Sequence, residues 1–359
     1  MIIDHGLQLL LDLDLREAGK IDGRTSEYEA LLSSYRSRHA VLDRSRAGTK
    51  CRLAWSGPGA PIQEEIFPPW SHGDNTDVTD KGFEFTVPEV NSLADFHGDV
   101  SNPSLVLYIA GNYYFAMGPL AQAFEQSHPE YRGHLYYETI PPGLLVRQMK
   151  AGGKITSGNM TWVAKPDVYL AGLMNVRGLI DQGMLTGEHV AYVTNDLAIM
   201  IAKGNPGHVG SLADLGKPSV RLAMPNPEFE GVARQIKATL AKAGGEALVK
   251  AVYEDKVASG TTILTHIHHR QTNLFLMQGV ADAGMTWTSE AIFQEQVNHP
   301  ISHIEIPAAD NTVAIYAGAI VKDATHPRAA QAWLDFIHSS EALAIFERYG
   351  FKPYPRPTK

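Results

Sequence analysis

Thr265 to Thr272 reads THIHHRQT, the most unusual local composition in the chain. His266, His268, His269 and Arg270 fall just before a helix expected over Asn273 to Gln278. An arginine there offers a planar fork for a bidentate grip on an oxyanion or a carboxylate, and an imidazole adds a donor whose strength depends on pH. Other readings stay open. His266, His268 and His269 can ligate a transition metal with help from Glu228 or Glu230, or form a plain polar loop with partly buried rings. A histidine such as His266 acting as general base would instead make the chain an enzyme. Asp95, His97 and Asp99 also lie close together, but their spacing matches no established metal motif and a solvated loop is the simpler reading. There is no Gly-x-Ser-x-Gly, His-Glu-x-x-His or phosphate-loop lysine motif. Binding is therefore favoured over catalysis, and no cofactor is called for.

Elements that would position such groups begin at Leu105. The near-continuously apolar LVLYIA suits a strand covered on both faces. Gly111, Asn112, Tyr113 and Tyr114 follow, then an amphipathic helix from Phe115 to Gln126. The pattern repeats with a strand over His134 to Glu138, the turn Thr139-Ile140-Pro141-Pro142-Gly143 and a helix from Leu144 to Ala151, closed by glycines. Two turns at the ends of neighbouring parallel strands aim free backbone N–H groups at one point, a ready site for a small anion.

Composition sets limits on partners. The 39 acidic against 31 basic residues give a net charge of -8, which argues against nucleic acid, so any anion site must be local. One cysteine rules out an internal disulfide. No stretch approaches the ~18 apolar residues of a membrane helix. The first residues carry Asp4, Asp12 and Asp14 and lack the marks of a secretory signal, so Met1 as the true start implies a cytoplasmic protein.

Residues 1 to 46 read as a helical hairpin with a capping box at Ser26 and Glu29, and 47 to 81 as a Gly- and Pro-rich connector; Phe83 to Val90 is a candidate strand. Further strands are expected over Asp167 to Ala171, Ala191 to Ala202, Val220 to Met224, Ala281 to Trp287 and Thr312 to Val321. Alternation with helices implies parallel sheets covered on both faces. The long apolar strands near 192–201 and 312–320 suit a hinge, one leaving a first lobe and one returning. At the end of the chain, Pro327 starts one helix and Ser340 caps another.

The ending AAQAWLDFIHSSEALAIFERYGF, with LLVRQMKAGG, PDVYLAG, MPNPEFEGVARQI and GMTWTSEA, resembles the periplasmic solute-binding proteins of ABC importers, in their molybdate-binding branch, over about residues 104 to 352. The resemblance implies an α/β, two-lobed type II periplasmic-binding-protein fold with hinge strands, here following a helical N-terminal extension and connector over 1–100. Lobe 1 would comprise 104–194 and 301–359, and lobe 2 would comprise 195–300. It implies closure over a molybdate- or tungstate-like oxyanion held mainly by uncharged donors, an ABC permease or a sensor as partner, and a periplasmic location. Carried over by position, Gly111, Asn112 and Tyr113 form the first turn, and Thr139, Pro142 and Gly143 the second. Asn226, Glu228 and Gly231 belong to the second lobe, Trp287 stands in the place of an aromatic contact, and the loop with His266 and Arg270 borders the ligand. Asn-Tyr-Tyr and Thr-Ile-Pro-Pro-Gly replace hydroxyl-rich turns, and proline donates no N–H. An organic acid, or a larger ligand stacked on Tyr113 or Trp287, is the alternative solute.

Overall fold

The structure is a computed structural model that describes residues 95–157, 160–228, 230–265 and 268–355. The expected helical hairpin, the connector, the strand at 83–90 and His266 lie outside the described residues.

The first lobe runs β1 (Phe96–Gly98), β2 (Leu105–Ile109), α1 (Tyr114–Ser127), β3 (Leu135–Glu138), α2 (Pro142–Lys150), the hairpin β4 (Lys154–Ser157) and β5 (Met160–Val163), then β6 (Val168–Gly172) and α3 (Leu173–Asp181). A long strand, β7 (Val190–Ala202), leads to the second lobe. There β8 (Leu222–Met224), α4 (Gly231–Lys250), β9 (Thr262–Leu264), α5 (Gln271–Met277), β10 (Ala283–Trp287), α6 (Thr288–Gln296) and β11 (Ile301–Glu305) follow. The return strand β12 (Val313–Ile320) precedes α7 (Pro327–Ile337), α8 (Ser340–Arg348) and β13 (Lys352–Pro353).

The sheet order is β1-β3-β2-β6-β12-β7-β10-β8-β9, with β11 and β13 also on β7. Within each lobe the inner strands are parallel: β2 lies between β3 and β6, and β8 between β9 and β10. All five side chains of β2 are buried, as its unbroken apolar run requires. The hinge strands depart from the all-parallel expectation. Because β7 leaves the first lobe where β12 returns, the two run side by side in opposite directions, Val313 facing Asp196 and Gly318 facing Val190. The far half of β7 pairs with β10 and β11 of the second lobe. β11 therefore belongs to that lobe's sheet, and the return begins at β12.

Each lobe carries the same staple. Asp167 accepts the Val106 N–H at 2.9 Å, and Asp282 accepts the Arg221 N–H at 2.8 Å, in both cases from a residue 61 positions earlier. Asp167 also accepts the His326 N–H at 2.7 Å, tying the start of α7 to the sheet. Replacing Asp167 with alanine leaves the buried Val106 donor without that partner, so urea unfolding of D167A is expected to show a loss of about 2–3 kcal/mol. Equal midpoints would refute this role. In the closing helix pair, Trp333, Leu334 and Ile337 are buried as expected, but Ser339, not Ser340, caps α8 by accepting the Ala342 N–H. Ser340 is already the first helical residue.

Candidate functional site

Arg270 lies at the amino end of α5 in the second lobe, 3 % exposed, and its side chain reaches both turn tips of the first lobe. Nη2 donates to the Gly111 carbonyl at 2.5 Å and to the Thr139 carbonyl at 2.6 Å, while Nε donates to Gly111 at 3.1 Å. Nη1 donates to Asp95 Oδ1 at 2.5 Å, an ion pair with both side chains buried. The guanidinium carbon stands 4.1 Å from the Tyr114 ring centre, on the first residue of α1. Thr139 Oγ1 donates to the same Asp95 oxygen at 3.0 Å, and the Thr139 N–H to the Asp95 carbonyl at 2.9 Å. The two tips thus meet at Arg270, but they present the carbonyls of Gly111 and Thr139 to it rather than the free N–H groups expected of the turns, and the Thr139 N–H is taken by Asp95. The adjoining recess, lined by Tyr114, Met200, His269, Arg270, Asn273, Glu290 and Gln294, has no room for a water molecule.

Beside Arg270, His269 is held between two carboxylates, Nδ1 at 2.9 Å from Glu230 and Nε2 at 2.9 Å from Glu290. Thr265 donates to Glu230 and Thr286 to Glu290, so each carboxylate is fixed from its own side. Burial by itself would lower the His269 pKa. Glu290 and Glu230 outweigh it and push the value up to about 9, making His269 an imidazolium that donates from both nitrogens. His268, 3.8 Å away ring to ring, is held neutral by burial and by the charges of His269 and Arg270. Its Nδ1 accepts the Arg270 N–H at 3.2 Å.

Glu230, His268 and His269 offer ligand atoms within 4.8 Å of one another, the geometric minimum for the metal reading. Both His269 nitrogens, however, already face carboxylates. Asp95, His97 and Asp99 diverge: Asp95 meets Arg270, His97 stacks on Tyr137 at 4.6 Å, and half-buried Asp99 accepts from Ser101.

The other expected contacts fall into separate groups. Asn112, Tyr113 and Trp287 gather around Tyr316 of β12. Asn112 donates to its hydroxyl at 2.6 Å, and the Tyr113 and Trp287 rings lie 5.5 and 6.1 Å from its ring. Tyr113 is fully buried, with its hydroxyl 2.8 Å from that of Tyr192. It is therefore core, and no ligand stacks on it in this arrangement. Trp287 is also packed in, 6 % exposed. Pro142 and exposed Gly143 form the first turn of α2. Asn226 folds its turn by accepting the Glu228 N–H at 3.0 Å; Glu228 and Gly231 are exposed. Of the expected contacts among the described residues, Gly111 and Thr139 are the two that Arg270 holds by hydrogen bonds to their carbonyls. Sequence reasoning missed Tyr114, Thr286 and Glu290. Thr286 lies on the strand β10 and Glu290 in the first turn of α6, so no single period linked them in the sequence.

Residues 105–352 match the family of bacterial extracellular solute-binding proteins. The chain belongs to that family. This solute-binding protein is 25% identical over 240 residues to the molybdate-binding protein ModA of Mycobacterium bovis, covering 66% of this chain and 82% of that one. It is 24% identical over 261 residues to the sulfate-binding protein of Escherichia coli, covering 66% and 76%. Among solved structures, the periplasmic molybdate-binding protein of Azotobacter vinelandii superposes with a TM-score of 0.55 at 20% identity, over 70% of this chain and 100% of that one, which shows the two-lobed fold. These relatives are binding proteins. No helix among its described residues is long and apolar enough to cross a membrane.

In this solute-binding protein Gly111 leaves no room for a side chain beneath Arg270. A Cβ there would stand 2.7 Å from Arg270 Nη2 and 2.8 Å from the Thr139 carbonyl, nearer than such atoms approach. Gly111→Ala is therefore expected to push the guanidinium out of its seat and hold the lobes apart, visible in small-angle scattering as a larger radius of gyration than wild type. An unchanged radius would show that the interlobe contact tolerates a methyl group.

Proposed function

We propose that this protein closes its two lobes over a small oxyanion of the molybdate or sulfate class and delivers it to an ABC permease. The observation that supports this most is the convergence on one point of Arg270 from the second lobe and Thr139 from the second turn, both donating to a single carboxylate oxygen. A charged fork from one lobe and a hydroxyl from the other are donors suited to an anion that must be gripped by both halves. The relatives that bind molybdate and sulfate supply the class of oxyanion. Unlike the uncharged cradle that the family resemblance implies, this one is charged, because the buried guanidinium sits at its centre. For a solute to enter, the lobes must open and Arg270 must exchange at least one protein acceptor for a ligand oxygen, a hinge motion about β7 and β12.

Titration calorimetry of the full chain with molybdate, tungstate, sulfate, phosphate and acetate tests this, with zinc as the arm for the metal reading. Saturable heat with one of the oxyanions is the expected result. Heat with zinc alone would transfer the function to Glu230, His268 and His269, and heat with none of the anions would refute the proposal.

A further inference from the structure

Asp95 lies ahead of residues 105–352, the span matched to the family. It reaches the site because β1 adds antiparallel to the edge strand β3, Phe96 facing Glu138, and the Thr139 N–H to Asp95 carbonyl bond extends that pairing by one step. The result is a fully buried carboxylate at the meeting point of two donors from opposite lobes. We propose that Asp95 is a built-in occupant of the anion site: its carboxylate holds the place that a solute oxygen takes, and solute binding requires its departure. This rests on the anion reading above and adds to it a residue that sets affinity and selectivity.

The chemistry follows from charge and tethering. Bonds to an ionised acceptor are the strong ones, and Asp95 takes up one terminal nitrogen of the guanidinium and the Thr139 hydroxyl together. A tethered group competes at the effective concentration set by its linker, on the order of millimolar for short linkers. A free monocarboxylate has the same head group without the tether, so it competes poorly. A tetrahedral dianion has more charge and more acceptor oxygens to offer Arg270 and the Thr139 hydroxyl, and it can win. Asp95 thereby excludes small monocarboxylates and sets a threshold for dianions. If the site is self-occupied about 90–99% of the time, the apparent dissociation constant is about 10- to 100-fold weaker than that of the vacated site.

The test compares wild type, Asp95→Ala and Asp95→Asn, each as the full chain, by calorimetry with molybdate, sulfate and acetate. D95A is expected to bind the dianion at least about 10-fold more tightly than wild type, and to bind acetate where wild type shows no heat. If wild type binds a dianion and D95A binds it equally or more weakly, the inference is overturned while the anion site stands. If neither wild type nor either variant binds any of these three, nor tungstate or phosphate, the anion reading falls and the inference with it. Should D95A fail to fold, D95N decides: its amide oxygen still accepts both bonds but carries no charge, so tighter dianion binding than wild type supports the inference and unchanged binding overturns it.

Discussion

Arg270→Ala is expected to abolish oxyanion binding, lowering affinity by at least about 100-fold, since charge-assisted hydrogen bonds are worth roughly 1.5–3 kcal/mol each and the fork supplies two or more. The same variant should also lose stability. Asp95 is fully buried and pairs with Arg270 at 2.5 Å, and removal of one partner of a buried ion pair typically costs about 3–5 kcal/mol. Arg270→Lys separates the two effects. An ammonium restores a charge opposite Asp95 but cannot span the Gly111 and Thr139 carbonyls in the same plane, so stability should recover more than affinity does. Calorimetry and urea unfolding on the three proteins provide the check. Wild-type affinity in Arg270→Ala would remove the centre of the proposed site.

Stability should also fall as the solution is made alkaline, in a window set by His269. Its pKa is raised to about 9 in the folded protein, against about 6.5 for an unperturbed histidine. A raised folded value means that the contribution is fully present below about pH 6.5 and is lost as pH rises through about 9. The shift corresponds to something on the order of 3 kcal/mol, at 1.36 kcal/mol per unit. His269→Gln should flatten the pH dependence of unfolding between about pH 6.5 and 9. Glu138 acts at lower pH. Burial lifts its carboxyl to about 7, with the Asp95 charge adding to the rise and Gln148 and Tyr136 opposing it. Its folded form holds a proton more tightly than its unfolded form, so stability declines as pH rises from about 4.5 to 7. Glu138→Gln should remove that part alone. A profile unaffected by His269→Gln would mean that the imidazole between Glu230 and Glu290 stays neutral.

The proposed anion site lies within a group of buried charges. Arg270 pairs with Asp95, and the adjacent His269, on the same loop between β9 and α5, pairs with Glu230 and Glu290. Such a network is costly to disturb at one member, because each buried group relies on its neighbours for solvation. A loop held this way can position Arg270 closely without regular secondary structure around it.

Much of the scaffold was legible in the sequence. The strands at 105–109, 135–138, 168–172, 190–202, 283–287 and 313–320 fall within about two residues of the apolar runs that mark them, because a strand covered on both faces must be apolar throughout. Pro327 and the spacing of Trp333, Leu334 and Ile337 likewise fixed α7 locally. Arg270 stood out by type, and the structure brings it to both turns. Short strands such as β9 and the β4–β5 hairpin carried too few residues to show a period.

What only the tertiary structure decided is who meets whom. Asp95 and Arg270 are 175 positions apart, and His269 is 39 and 21 positions from its two carboxylates. Tyr113 and Trp287 have the composition of ligand contacts, yet packing turns both toward Tyr316. Periodicity reports the environment of a residue's own element, set by neighbours a few positions away. Pairing of buried charges depends on how sheets and lobes stack, and that information is spread over the whole chain.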